Sequence, residues 1–254
     1  MLGARARQTA AAALAAAVLM ATAACGGDGA GRPAAPSPAA PAASSPAPHA
    51  AAPAGPRPLT RTQLLAVALS EDDDAGAYTA DEPVDGEPPA GDMFTAEPAV
   101  CQPLVSLAKG ATPYDPAAEI VRTVWDPDAE RGVDVDLHLR SYTARDAAAV
   151  MRALARAGRE CAHGFTEQRA LTDARVLRVD TLRPPAAGDE AYAFRITTQD
   201  VEDAHLKLYD YLTVIRSGST TLSFRADTHS TEDVGGVPQD VVDAQWHKFR
   251  RATP

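Results

Sequence analysis

The chain has 254 residues, 34 of them acidic and 24 basic, for a formal net charge of −10. That balance argues against nucleic acid or an anionic lipid surface as partner, since both are bound largely through Lys and Arg.

The first residues read as an address rather than as part of a fold. Arg5 and Arg7 precede an apolar run from Ala10 to Ala21 with Leu14, Val18, Leu19 and Met20, and small residues lead to Cys25-Gly26-Gly27. Charge, short apolar run and small residues, in that order, make 1–24 a secretory signal peptide. The run falls short of the roughly 20 residues that a transmembrane helix needs. Cys25 after Ala23-Ala24 is similar to a lipobox, although Thr22 stands where Leu or Val is usual. A lipobox implies a thioether to diacylglycerol on Cys25 and acyl chains such as palmitate, and two chains give stable anchoring. The expected location is the outer face of the plasma membrane, reached through this lipid. Ala21-Thr22-Ala23 also fits an ordinary Ala-x-Ala cleavage site, which would release a soluble protein.

Only Cys101 and Cys161 accompany Cys25. If Cys25 carries lipid, these two are left to form one disulfide outside the cytosol; if it does not, a thiol is stranded. Residues 25–58 form the next segment, and 26–58 are almost wholly Ala, Pro, Gly and Ser. Without large apolar side chains this stretch cannot offset its ordering entropy, so it reads as a flexible, proline-extended spacer of up to about 100 Å.

Residues 59–251 are enough for one domain with a real core. Thr60, with Gln63 three positions on, predicts a capped helix that buries Leu64, Leu65, Ala68 and Leu69. The segment from Glu71 to Glu97 holds ten acids and no Lys or Arg, so the remaining 24 acids balance the 24 basic residues. Its prolines and glycines predict a long loop, either solubilising or able to meet a basic partner, and its spacing does not match a calcium loop. Pro98 suits the start of a short helix containing Cys101, Leu104 and Val105.

Then the period changes. Ile120, Val121, Val124 and Trp125 mark a strand; in the next, Val133, Val135, Leu137 and Leu139 alternate with Asp134, Asp136, His138 and Arg140, as in a half-buried antiparallel strand. Thr143 caps a helix with Val150, Met151, Leu154, Gly158 and Cys161 on one face. Strands are predicted at 174–182, 190–198 and 205–216, and a turn at Ser217-Gly218-Ser219 leads into Leu222, Phe224 and Ala226. Pro238 begins a last helix with Val242, Trp246 and Phe249 on one side. The expected fold class is α+β: a twisted, mainly antiparallel sheet of about six strands with two long helices packed on one face.

The order Leu59-Thr60 with Gln63-Leu64-Leu65, Cys101-Gln102-Pro103-Leu104, Arg140-Ser141-Tyr142, Arg159-Glu160-Cys161, Gly188-Asp189-Glu190-Ala191-Tyr192 and Thr213-Val214-Ile215-Arg216-Ser217-Gly218 resembles a known family. It is that of the PknH-like extracellular sensor domains of mycobacterial kinases and related actinobacterial lipoproteins. The resemblance covers most of 59–251. It implies a twisted antiparallel sheet, two helices and a cleft for a ligand. The kinase member has a second disulfide, for which this chain lacks the cysteines, and no kinase domain occurs in this sequence, so phosphorylation is not carried over.

Histidines 49, 138, 163, 205, 229 and 247 show no metal-ligand spacing, and no serine sits in a nucleophile elbow. No cofactor, metal or catalytic group is expected. Asp134 and Asp136, two apart on one strand face, fit acid–base chemistry, cation binding or a solvated face. Parity places His138, Arg140, Arg195, Tyr209, Tyr211 and Arg225 on the sheet face away from the helices, where Arg and Tyr could line a cleft for a small molecule or lipid. The reading is a non-catalytic, lipid-anchored, extracytoplasmic binding or sensor-like domain. The alternative is an envelope protein that contacts a protein or wall polymer through 71–97 or the open sheet face.

Overall fold

The computed structural model describes residues 57–82, 90–127, 132–228 and 230–253. The signal peptide, Cys25 and the linker up to residue 56 lie outside the described residues. The helices are α1 Arg61–Val67, α2 Gln102–Val105, α3 Ala144–Glu160 and α4 Gln239–Ala252. The strands are β1 Thr79–Asp81, β2 Thr95–Glu97, β3 Ala118–Trp125, β4 Val133–Ser141, β5 Phe165–Gln168, β6 Ala174–Leu182, β7 Glu190–Gln199, β8 Lys207–Ser217 and β9 Thr220–Thr228. Among the described residues no helix is long and apolar enough to cross a membrane.

The fold is α+β with one large antiparallel sheet, in the order β1-β3-β4-β9-β8-β7-β6-β5-β2. Among the described residues, nine strands replace the expected six. The three additional ones are β1, β2 and β5, of three or four residues. They are too short to show a period, and β1 and β2 each bury a single alanine, Ala80 and Ala96.

Local chemistry sets the helix starts. At α1 the Thr60 hydroxyl accepts from the Gln63 backbone N–H, and the Gln63 side-chain Oε1 accepts from the Thr60 N–H at 2.8 Å, a reciprocal capping box. Thr143 likewise accepts from the Asp146 N–H ahead of α3. Pro238 caps α4 from outside rather than forming its first residue.

Helices pack on both faces, not one. On β8, Leu212 and Val214 join the apolar cluster that holds Val150, Met151 and Leu154 of α3. Tyr211 and Ile215 of the same strand belong to the cluster that holds Leu64 of α1 and Val242 and Phe249 of α4. Adjacent strand residues point to opposite faces, so α3 covers one side of the sheet and α1 with α4 the other. Consequently the side of β4 expected to face solvent is buried: His138 and Arg140 lie inside, beneath the 3-10 turn Ala90–Met93 and α2. The two sides of the sheet call for different side chains: β4 presents Val135, Leu137 and Leu139 to α1 and α4 and a charged row to α2.

The acidic segment is not one long loop. It starts one edge of the sheet with β1 and ends at the other edge with β2. Asp73 pairs with Lys248 at 2.6 Å, Asp81 accepts from the Trp125 indole N–H at 2.7 Å, and Glu82 meets Arg122 at 3.0 Å. Acidic edge strands three residues long are poor templates for pairing with another chain. Cys101 and Cys161 form a disulfide that ties the turn before α2 to the end of α3.

Candidate functional site

The site grows from strand register. β4 pairs with β9 so that Asp134 stands opposite Asp227, Asp136 opposite Arg225, His138 opposite Ser223 and Arg140 opposite Thr221. β9 pairs with β8 so that Asp227 stands opposite Asp210 and Arg225 opposite Leu212. Directly opposed residues of an antiparallel pair share a face. A charged patch therefore runs across three strands, on the side covered by α2 and α3.

One end of the patch is sealed around Arg140, only 2% exposed. Its Nε donates to Glu119 at 2.5 Å, and its Nη2 lies 2.7 Å from His138 Nδ1 and 3.3 Å from Asp92. Asp92 also accepts from the Ser106 hydroxyl at 2.6 Å. Arginine has donors only, so His138 Nδ1 accepts and the imidazole is neutral. Burial and then the Arg140 charge hold the His138 pKa below its ordinary value. Burial pushes the Glu119 carboxyl up, but its contacts with His138 and the Arg140 charge outweigh this and leave it low. Asp92, Glu119 and His138 have a spacing that could hold a metal ion. The Arg140 guanidinium lies against all three, so the protein supplies its own cation there.

The other end opens into a cleft of about 280 Å³. Gly91, Phe94 and Val105 line it from the segments laid over the sheet, and Asp136, Asp210, Asp227, Arg225, Glu167 and Arg169 bring charge to it. Arg225 is held in place by α2: its Nη2 donates to the Leu104 carbonyl and, at 3.0 Å, to that of Val105. These are carbonyls of the last helical residues, which need donors from outside the helix. Arg169 lies 4.9 Å over the Phe94 ring and donates to Glu167 at 2.6 Å. The carboxyls do not behave like surface groups. Burial, followed by the nearby Asp227, raises Asp136 to about 6 and Asp210 to about 8. The arrangement gives a small mixed cleft whose polar lining changes charge near neutral pH.

The six residues singled out from sequence do not share a face. His138, Arg140 and Arg225 are on the α2 side, and of the six Arg225 lines the cleft. Arg195 stands opposite Tyr211, whose neighbour Leu212 faces α3, so both lie on the other side. There the Tyr211 hydroxyl donates to Asp233 at 2.5 Å, and Arg195 reaches Asp180 at 2.9 Å and Asp233. Tyr209 packs against the α1 and α4 cluster. Parity fails because the apolar side of β4 packs against α1 and α4, whereas the Leu212 and Val214 side of β8 packs against α3. Sequence reasoning passed over Asp210, Asp227, Glu167, Arg169 and Phe94. One signal was present: Asp210 interrupts the even-numbered apolar stripe Leu206, Leu208, Leu212, Val214, placing an acid where packing calls for a hydrophobe.

No protein-family profile and no curated protein matches the chain. Among solved structures, it is similar to the crystal structure of the extracellular domain of PknH from Mycobacterium tuberculosis. The TM-score is 0.52 at 12% identity, over 77% of this chain and 97% of that one. This likeness is one of fold. An uncharacterised Mycobacterium smegmatis protein, an Rv0999 ortholog, gives a TM-score of 0.30 at 13% identity, over 69% of this chain and 83% of that one, too low to build on.

Proposed function

We propose that the chain is an extracytoplasmic, non-catalytic sensor-like domain that binds a small molecule in the cleft between β4, β9, β8 and the α2 segment, and that a lipid on Cys25 tethers it to the outer face of the plasma membrane. The observation that carries the binding reading is the cleft itself. Charged side chains from β4, β5, β8 and β9 converge there beside the apolar Phe94, Val105 and Leu208, the combination of apolar wall and few oriented polar groups that small-molecule sites use. The shared fold with a domain described as extracellular supports the location. The signal peptide and lipobox-like Cys25 support the tether. The non-catalytic reading draws support from His138, a natural general base, which is enclosed with its Nδ1 engaged by Arg140.

Native mass spectrometry of the full chain, extracted from membranes in mild detergent, tests the binding reading. A small molecule released on denaturation, and lost when Asp136 is replaced by leucine, is the expected result. No such mass, together with no thermal shift across a panel of lipids and wall fragments, would end the reading. Intact mass of the same preparation tests the tether: recovery only as a soluble species beginning at Ala24 would remove the lipid.

A further inference from the structure

We propose that Asp210, held opposite Asp227, keeps a proton at neutral pH, and that this proton makes the charge of the cleft depend on external pH. The proton inventory stands on the fold; its consequence for a bound molecule rests on the cleft being the binding site.

The argument begins with register. β8 ends at Ser217 and β9 begins at Thr220, which pair with each other, so the connecting loop is Gly218-Ser219 with Gly218 at φ 58°. A two-residue hairpin with positive φ at its first position fixes the pairing that follows. Seven residues along each strand from the Ser217–Thr220 pair, Asp210 stands opposite Asp227. A slip of one residue would turn Leu212 and Val214 away from α3 and Tyr211 and Ile215 away from α4, in a sheet packed on both faces. The two acids are therefore locked face to face, where like charges oppose each other most strongly.

The surroundings relieve this only in part. β9 presents Arg225 as well as Asp227; the Arg225 charge favours the ionised Asp210 but counts for less than burial and Asp227, and its Nη2 donates to the carbonyls of Leu104 and Val105. β4 presents Asp134, opposite Asp227, and Asp136, opposite Arg225. From β5 comes Glu167, already paired with Arg169, and Asp92 approaches from the turn over the sheet. Carboxyls outnumber guanidiniums, and the cleft limits hydration, so the lower-energy state keeps a proton on Asp210. The Asp227 carboxyl lies within hydrogen-bonding reach of Asp210, and burial, followed by the Asp227 charge, raises Asp210 to about 8. Asp136 follows at about 6. Acidification from alkaline pH thus removes negative charge from the cleft in steps, across a range where ordinary carboxyls stay ionised.

The sign for stability follows. Between the unfolded value of 3.8 and about 8, the folded chain holds a proton on Asp210 that the unfolded chain has released. This contribution is full on the acid side and is lost as pH rises through about 8.

The test uses the full-length chain, with folding checked by circular dichroism. Infrared spectroscopy is expected to show a protonated-carboxyl C=O band at neutral pH that disappears at alkaline pH and is missing in Asp210→Asn. In Asp227→Asn, which keeps Asp210 but removes its opposing charge, the band should vanish at a lower pH, by at least about one unit. The melting temperature of the wild type should fall relative to that of Asp210→Asn as pH rises from 3.8 to about 8, and level off above that. A folded wild type without a protonated carboxyl at neutral pH would overturn the proposal, as would a band that both variants leave unchanged. A failed search for a bound small molecule would not alter these readings, so the two proposals fail separately.

Discussion

Gly158 of α3 lies directly over the ring of Phe194 on β7: a Cβ at this glycine would come within 2.3 Å of the ring Cε1. The helix backbone comes close to the sheet here, in the interior that also holds Val150, Leu154 and Ile196. Gly158→Ala is therefore expected to destabilise. Removing a helical glycine contributes about 0.5–1 kcal/mol in favour of folding, but overpacking against a ring costs about 1–3 kcal/mol. Chemical denaturation should show a net loss, and Gly158→Ala combined with Phe194→Leu should recover part of it.

Gln245 of α4 is fully buried and ties that helix to the end of α1 and the residues just after it. Its Nε2 donates to the Val67 carbonyl at 2.7 Å, and its Oε1 accepts from the Leu69 N–H at 2.9 Å. Gln245→Leu keeps the volume and leaves both backbone groups unpaired. The expected cost is about 1–3 kcal/mol for each. Amide exchange at Leu69 should rise well above that of the neighbouring helix, which a general loss of stability would not single out.

Arg140 neutralises a buried set of acceptors, so its removal should cost more than the loss of a surface ion pair. Arg140→Met leaves Glu119 and Asp92 without their cation, and breaking such a pair typically costs about 3–5 kcal/mol. Because the guanidinium also holds His138 neutral, the imidazole of the variant is expected to titrate at higher pH, readable by proton NMR. Glu119 has a lowered pKa in the folded chain. Its contribution is full above the ordinary carboxylate value and is lost as pH falls through the folded one. Wild-type acid unfolding should thus contain a component that Arg140→Met lacks.

The disulfide closes a loop of sequence separation 60 between Cys101 and Cys161. Replacing both cysteines with serine should lower stability by about 2–4 kcal/mol. Since Cys101 immediately precedes α2, whose Val105 lines the cleft, hydrogen exchange should increase most over 99–107.

Alternation in 133–140, 190–198 and 205–216 and the caps at Thr60 and Thr143 were legible because they are local: each depends on residues within a few positions. The three short strands were not, since a three-residue segment such as Thr95–Glu97 becomes a strand only when β5 supplies its hydrogen bonds. The charged residues of β4 show the same limit. Asp136, His138 and Arg140 announce a polar face, but whether it meets water or a covering segment is decided by where Asp92 and α2 return to the sheet.

The sequence alone determined the main strands, the helix starts and the α+β class, because period and capping act over a few residues. Tertiary structure alone decided that helices cover both faces, that β1 and β2 occupy opposite edges, and that Asp210 meets Asp227. Those outcomes depend on cross-strand register and on which segments return over the sheet, quantities that no short window of sequence contains.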